Sequence, residues 1–380
     1  MSRHPTIPHS LRAISTVNKP ADTIVVGLSN LYHHYYLDTY GRSPPSPDPA
    51  QFEHSRFLLP TAEFRFQGSG IGDSPESKRS RSNDLGRAFC RWFLYEHFNV
   101  TYFAHLSQIL NRQLHRAFGG LRVARETSGD TPDYFCAESV DRICLAEAKG
   151  RYTAISFNNK EFGKWRRQFE RVVVTDSSGK PVTVKGHIVA TRFATEHDSP
   201  RLKTCISAED PASPGDRPLG PDESRALGAS IVALHYSGIA EKLRQPILAV
   251  ALASGVPMPS ELRVQAIAWE IVAGPLVNRR FVGGYFPGSD GEPNIIQENG
   301  RMRLQRHNPL RLDSPTATFF GLEERIFRKV VRLARGEASA GEGISHFEET
   351  AFFYSGFSVL RDGTAIGPVE FFSPIEPIVI

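Results

Sequence analysis

Three charged residues, Asp133, Glu147 and Lys149, are spaced so that they could act together on a phosphate ester. Glu147 and Lys149 are two residues apart at the end of an apolar run, and side chains two apart in a strand share one face of a sheet. Asp133 begins the preceding apolar run, and residues 139–142 between the runs suit a hairpin turn. If the two strands pair antiparallel, all three charges lie at one edge of a sheet.

Such a group suits metal-assisted hydrolysis of a phosphodiester. Mg²⁺ prefers oxygen ligands and keeps several of its waters, so two carboxylates and the substrate phosphate are enough to hold it. Asp133 and Glu147 would supply the carboxylates, and the carbonyl of Ala148 would add a third oxygen. Lys149 would orient the attacking water or stabilise the negative charge that grows on the phosphate. We expect Mn²⁺ to substitute for Mg²⁺.

The order Pro132-Asp133, then 13 intervening residues, then Glu147-Ala148-Lys149 resembles the signature of the PD-(D/E)xK nuclease superfamily, which includes many restriction endonucleases. The resemblance covers roughly 83–193. It implies an α/β protein with a restriction-endonuclease-like core, a central mixed sheet flanked by helices that carries the motif on its second and third strands. It also implies a metal-dependent endonuclease that acts on DNA, with bacterial anti-phage defence or restriction as the setting.

The resemblance implies two further catalytic residues. Many members add a glutamate from the helix before the motif, and Glu96 is the candidate; the alternative is that Glu96 lies near a frayed helix end and reaches water. We expect that helix to begin at Asn83 or Asp84. Some members place a glutamine in the helix after the lysine strand, where this chain has Gln168.

The short motif has one competitor, and context separates the two. Lys78 also has an acid two residues earlier, Glu76, but that pair lies in a stretch rich in Ser and Pro with no apolar strand before it. The alternative interpretation of Asp133, Glu147 and Lys149 is a surface cluster of ion pairs at a strand end, which would contribute little to stability.

The composition and the net charge are compatible with some classes of protein and exclude others. The net charge of +4 and the pI of about 8.8 permit a nucleic-acid partner without requiring one. The four cysteines show no CxxC pairing, and Cys136 and Cys144 are expected to be buried in the two strands. Residues 1–17 lack the apolar core of a signal peptide, and the longest apolar region, 246–258, is too short to span a bilayer. We therefore expect a soluble, cytoplasmic protein with no membrane association.

Changes in composition along the chain predict four segments. Residues 1–82 would form an N-terminal extension with a flexible loop at 68–82, and 83–195 would form the nuclease core. The polar stretch 196–221 would be a linker. Residues 222–380 would form a mainly helical C-terminal region that ends in a hairpin.

Basic residues supply candidate phosphate contacts in two places. One group lies on the helix predicted over 160–171, and the other lies in the basic run that starts at residue 301. The candidates for nucleic-acid binding are Lys164, Arg166, Arg167, Arg301, Arg303 and Arg306.

Two other functions remain open from the sequence. The chain could be a catalytically silent nuclease-like module that binds nucleic acid or another protein, or it could be a nuclease directed at RNA. The C-terminal region could recognise DNA, dock a partner protein of a defence system, or mediate a homodimer that cuts both strands.

Overall fold

The computed structural model describes residues 9–15, 23–39, 47, 52–110, 121–286, 294–298, 301–305, 318–337, 344, 346–347 and 357–380. The helices in these ranges are α1 (Leu28–Thr39), α2 (Glu53–Arg56), α3 (Pro75–Phe98), α4 (Lys160–Glu170), α5 (Pro221–Lys242), α6 (Pro246–Ser254) and α7 (Glu324–Ala334). The strands are β1 (His9–Ser15), β2 (Thr23–Val26), β3 (Arg65–Phe66), β4 (Tyr102–His105), β5 (Arg122–Arg125), β6 (Tyr134–Ser139), β7 (Arg142–Arg151), β8 (Val172–Thr175), β9 (Pro181–Thr183), β10 (Gly186–Arg192), β11 (Ala194–Thr195), β12 (Cys205–Glu209), β13 (Arg217–Pro218), β14 (Gln265–Ile271), β15 (Arg280–Phe286), β16 (Asn294–Glu298), β17 (Arg301–Gln305), β18 (Thr318–Glu323), β19 (Ser358–Val359), β20 (Thr364–Pro368) and β21 (Phe372–Val379).

The chain forms two compact units, and both are discontinuous in sequence. The larger unit comprises Pro8–Gly27 and Glu53–His235, and the smaller unit comprises Met1–Ile7, Leu28–Phe52 and Tyr236–Ile380. The boundary at residue 235 falls inside α5. This division differs from the predicted one, because the N-terminal residues and the predicted linker both contribute strands to the larger unit.

The larger unit is built on a seven-stranded mixed sheet with the order β2-β1-β12-β10-β7-β6-β4. β10 runs parallel to β7 and β1 runs parallel to β12, while the other neighbours are antiparallel. β12 lies within the segment predicted as a linker, and it pairs in the sheet because its residues 206–208 are buried and apolar or small. The prediction of an α/β chain with a mixed sheet is confirmed.

Helix α3 begins earlier than the sequence predicted. The Ser74 hydroxyl accepts a hydrogen bond from Ser77 N at 3.1 Å and caps the helix, and Pro75 occupies the first turn, where a missing N–H costs nothing. The helix ends before Asn99, which adopts the left-handed conformation at φ 56°. The flexible loop predicted over 68–82 is therefore wrong for its second half, which is helical.

Two glycines let α3 lie directly on strand β7. A Cβ atom on Gly86 would meet the backbone of Gly150, and a Cβ atom on Gly150 would meet the carbonyl oxygen of Ser82. The backbones of helix and strand therefore touch without intervening side chains. Because Gly150 follows Lys149 directly, this contact fixes the end of β7 that carries the charged residues.

The smaller unit contains a six-stranded antiparallel sheet with the order β19-β20-β18-β15-β14-β21. Its core is aromatic: the rings of Phe319 and Phe372 stack at 3.8 Å, and the ring of Trp269 lies 5.3 Å from that of Phe319. The prediction of a mainly helical region over 222–380 is wrong. Strand β14 and the other strands of this sheet lie in that region, and short apolar runs such as theirs have no periodicity that separates a buried strand from a helix.

We predict that Gly86→Ala lowers the free energy of unfolding by about 3 kcal/mol, because the new methyl group must push α3 away from β7. Helix propensity alone would give the opposite sign, a gain of up to about 1 kcal/mol. Urea denaturation followed by circular dichroism measures the difference.

Gly163→Ala on α4 is the matched control, since a Cβ atom there would meet nothing within 4 Å beyond the neighbouring backbone of its own helix. This variant should be neutral or slightly more stable than the wild type. Equal effects of the two substitutions would show that α3 and β7 are not in the close contact described.

Candidate functional site

The hairpin of β6 and β7 brings Asp133 beside Glu147, as the sequence predicted. Tyr134 pairs with Ala146, so Asp133, one residue before β6, lies opposite Glu147 when the register is continued. The carboxylate of Asp133 accepts a hydrogen bond through Oδ2 from the backbone N of Ala148 at 2.8 Å. This bond fixes the orientation of the Asp133 side chain at the open end of the ladder.

Glu147 is a fully buried carboxylate. Its relative exposure is 0%, and neither of its oxygens accepts a well-formed hydrogen bond from the described residues. Oε1 lies in an ion pair with the ammonium of Lys149. Burial, together with the nearby charge of Asp133, raises the pKa of Glu147 well above its usual range, and the opposing effect of Lys149 does not cancel this rise.

Lys149 shares its face of β7 with Glu147 and keeps 25% of its side chain exposed. Burial disfavours its ammonium, but the charges of Glu147, Asp133 and Asp130 outweigh this effect and raise the pKa of Lys149. The lysine is therefore a fixed positive charge at the border between the buried carboxylate and solvent.

Pro132 has a consequence for the carbonyl of Ala148. The register of the hairpin, continued past Tyr134 and Ala146, sets Pro132 opposite Ala148. A residue there would ordinarily donate its N–H to the Ala148 carbonyl, and proline has no N–H to donate. Residue 132 therefore donates no backbone hydrogen bond to the carbonyl oxygen of Ala148, which lies next to the two carboxylates.

Helix α4 presents the predicted glutamine to the same region. Asn159 caps the helix by accepting a hydrogen bond from Phe162 N at 2.7 Å. Gln168 is only 5% exposed, and its Oε1 has no hydrogen-bond partner among the described residues. The glutamine lines one cavity together with Lys149.

This cavity, which we call the cleft, has a volume of about 780 Å³. One wall is a face of α3, the other is a face of α4, and the floor is the end of β7. The lining residues are Pro75, Lys78, Arg79, Ser82, Asn83, Asp130, Lys149, Gly150, Arg151, Tyr152, Thr153, Glu161, Lys164, Trp165, Gln168 and Arg171.

The cleft is strongly basic. Six of its side chains are basic and two, Asp130 and Glu161, are acidic. The excess of four positive charges equals that of the whole chain, in which 45 basic residues stand against 41 acidic ones. An anionic ligand such as a phosphate chain suits such a surface.

The sequence analysis missed the α3 wall. Lys78 and Arg79 lie in a stretch without apolar periodicity, which was interpreted as a loop. The signal that could have found the helix is local: Ser74 followed by Pro75 and Glu76 is a typical helix start.

The structure does not bring Glu96 to the site. Glu96 is exposed near the end of α3, whereas the part of α3 against β7 is Ser82 and Gly86. Ten residues of helix separate Gly86 from Glu96, or roughly 15 Å along the axis. The assignment of Glu96 as a catalytic acid is therefore wrong, and the alternative, a residue that reaches water near a helix end, describes its position.

Of the basic residues predicted to contact phosphate, some line the cleft and others lie elsewhere. Lys164 lines the cleft. Arg166 is instead paired with Glu209, with Nε 2.9 Å from Oε2, and Arg167 is exposed but does not line the cleft. Two further candidates, Arg301 and Arg303, lie on β17 of the smaller unit, and their side chains are outside the described set, as is the whole of Arg306.

The described residues contain no group of three or more His, Cys, Asp or Glu side chains that could hold a metal ion. The site offers two carboxylates and a carbonyl, which is a sparse set of metal ligands.

Cys136 and Cys144 are buried free thiols on facing strands, as expected. Within the described ranges, no helix combines the length and apolar character needed to cross a bilayer.

Comparison of the chain with protein-family models, with curated proteins and with solved structures finds no match. The interpretation of the site therefore depends on the residues and their geometry.

We predict that Glu147→Gln gains stability over the wild type as the pH rises, measured in the presence of a chelator. The raised pKa of Glu147 means that the unfolded chain loses this proton first, so the wild-type residue increasingly favours unfolding from about pH 4.5 up to the folded-state pKa. The amide of the variant does not titrate. Urea denaturation at several pH values between about 4 and 8 measures the difference.

Glu170→Gln removes one exposed carboxylate from α4 and serves as the control. A constant difference between Glu147→Gln and the wild type across this range would contradict the buried state of the Glu147 carboxylate.

Proposed function

We propose that this chain is a metal-dependent nuclease that hydrolyses phosphodiester bonds in DNA through Asp133, Glu147 and Lys149. One observation carries the proposal: the fully buried carboxylate of Glu147 has, among the described residues, only the Lys149 ammonium as a partner, and a second carboxylate, Asp133, lies beside it. Two neighbouring carboxylates with one ammonium leave an excess of negative charge in a buried place, which costs stability and which a bound metal cation would offset. An ion-pair cluster at the surface, the alternative interpretation, would not bury its carboxylate.

The order of elements supports a restriction-endonuclease-like core. Helix α3 precedes the hairpin β6–β7, helix α4 follows it, and β10 then pairs parallel to β7. Asp133 lies one residue before β6, and Glu147 and Lys149 lie near the end of β7. This agrees with the expectation, implied by the resemblance to PD-(D/E)xK nucleases, that two consecutive strands of the core carry the motif.

The residues present fit a magnesium ion. Asp133, Glu147 and the carbonyl of Ala148 would hold it, because all three offer oxygen and the first two carry negative charge. When bound, Mg²⁺ would polarise the phosphate and lower the pKa of an attacking water. The sparse protein ligand set leaves room for water and for the substrate phosphate.

The chain's own residues would position the reaction. The N–H of Ala148 holds the Asp133 carboxylate in place, so this side chain needs no reorganisation when substrate binds. The Lys149 ammonium, partly exposed in the cleft, would contact the attacking water or a phosphate oxygen and stabilise charge in the transition state. Gln168 would supply a polar contact from the facing helix.

We predict that Lys149→Ala lowers the rate of DNA cleavage in Mg²⁺ by about 100-fold or more, because the ammonium that faces the reacting phosphate is lost. The assay follows supercoiled plasmid, linear duplex, single-stranded DNA and RNA with Mg²⁺, with Mn²⁺ and with chelator. The panel also separates a DNA nuclease from an RNA nuclease.

Glu96→Gln is the control for this experiment, since Glu96 lies on the exposed end of α3. It should cleave at the wild-type rate. Wild-type cleavage by Lys149→Ala would remove Lys149 from the mechanism, and no cleavage of any substrate by the wild type would favour the silent binding module.

We predict that Asp133→Asn weakens Mg²⁺ binding at least about tenfold, because one ligand loses its charge. The amide can still accept the hydrogen bond from Ala148, so the fold should persist. Isothermal titration calorimetry with Mg²⁺ measures the affinity.

Asp141→Asn, at the turn of the same hairpin, is the control for the loss of one aspartate charge. It should bind Mg²⁺ like the wild type. Equal affinities of Asp133→Asn and the wild type would reject Asp133 as a ligand.

A further inference from the structure

The two walls of the cleft carry positive charge on opposite sides of its floor. Lys78 and Arg79 lie on the α3 wall, and Lys164 and Arg171 lie on the α4 wall. Arg79 and Lys164 are exposed. A chain of phosphates that runs between the helices would therefore meet basic side chains on both flanks.

The reacting groups lie at the bottom of this cleft. Only 25% of the Lys149 side chain is exposed, and Glu147 is not exposed at all. A phosphate must therefore descend between α3 and α4 to reach them. An intact duplex is stiff, with a persistence length of about 50 nm, and does not bend sharply at a single nucleotide to follow the floor of the cleft. A single strand bends freely at each nucleotide.

The cleft also offers some aromatic surface. Tyr152 after β7 is half-buried and lines the cleft, whereas Trp165 on α4 packs on Phe162 and is only 8% exposed, so it contributes no more than an edge. In a duplex the faces of the bases are stacked on one another and cannot reach such rings, whereas unpaired bases can stack on them. A basic groove combined with aromatic side chains is typical of sites for single-stranded nucleic acid.

A buried amide gives a further indication of a polar ligand. Gln168 is 5% exposed, lines the cleft, and leaves its Oε1 without a hydrogen-bond partner among the described residues. A buried polar atom without a partner is costly unless a ligand or water satisfies it. The edge of an unpaired base or a sugar hydroxyl has the donors to do so.

We propose that the cleft binds a single-stranded stretch of nucleic acid, with its backbone between Arg79 and Lys164 and with an unpaired base against Tyr152. A duplex must open locally before it enters. This inference rests on the proposed function, because it names the form of the substrate that Asp133, Glu147 and Lys149 act on. The volume of about 780 Å³ is within the range of pockets that enclose a small ligand, so only a short stretch of strand is held at one time.

The test is binding in the presence of chelator, so that cleavage plays no part. Fluorescence anisotropy compares a labelled single-stranded DNA, an RNA of the same sequence and the matching DNA duplex. We expect at least one single strand to bind about tenfold or more tightly than the duplex. Comparing the affinities for the DNA strand and the RNA strand shows whether the cleft prefers deoxyribose or ribose.

Lys164→Gln and Arg79→Gln test the two walls separately. Each should reduce the slope of log K against log salt for the preferred strand by about 0.7, the value expected for one lost contact to a single-stranded phosphate. Arg167→Gln, on the same helix as Lys164 but outside the cleft, should leave the slope unchanged.

Duplex binding as tight as that of both single strands would overturn the inference, as would slopes of Lys164→Gln and Arg79→Gln equal to the wild type. These results leave the proposed function standing if plasmid is still cut in Mg²⁺. Conversely, tight binding of a single strand with no cleavage of any substrate would contradict the proposed function. The cleft would then be a site that binds a single strand without cutting it.

Discussion

The constraint on which the site depends is the burial of the Glu147 carboxylate. Moving an ionised carboxylate out of water costs several kcal/mol even after the protein relaxes, and a neighbouring carboxylate adds to this cost. Here Asp133 lies beside Glu147, and only the ammonium of Lys149 opposes the two charges. An apolar residue at position 147 would serve stability better. The arrangement is therefore better explained as a site that binds a metal cation than as a group that stabilises the fold.

The scaffold holds this unfavourable group in place through backbone contacts. β10 pairs with β7 along one edge, with Ile188 opposite Glu147, and β6 pairs along the other. Helix α3 closes against the same strand through Gly86 and Gly150. Because these contacts hold the backbone of β7 on three sides, the strand has little freedom to shift the buried carboxylate towards solvent. Rigidity around a charged group is what a preorganised catalytic site requires.

The hairpin and its charges could be predicted because their causes are local. Side chains alternate in a strand, and the turn separates two apolar runs, so Asp133, Glu147 and Lys149 follow from the sequence alone. The two parts that were missed differ in their causes. The start of α3 has a local signal, the Ser74 cap followed by Pro75, but its polar first turns carry no apolar periodicity. Strand β14 depends on aromatic rings contributed by β15 and β18, which are not visible in a window of neighbouring residues.

The position of Glu96 shows how the bounds of a helix decide a functional assignment. The helix ends at Phe98, so Glu96 stands in its last turn, and the observed start at Pro75 adds two polar turns before Asn83. The residues of α3 that line the cleft with Lys149 come from this polar half.

Helical spacing explains why neighbouring basic residues on α4 have different surroundings. Glu161, Lys164, Gln168 and Arg171 follow one another by three or four positions, so they form one stripe, and this stripe lines the cleft. Arg166 falls off the stripe and is neutralised by Glu209. A net charge of +4 spread evenly over 380 residues would steer nothing, but the basic side chains gathered on α3 and α4 produce a local field; they are Lys78, Arg79, Lys164 and, directly after α4, Arg171. The position of basic residues relative to the helix period, and not their number, determines where a phosphate chain would be held.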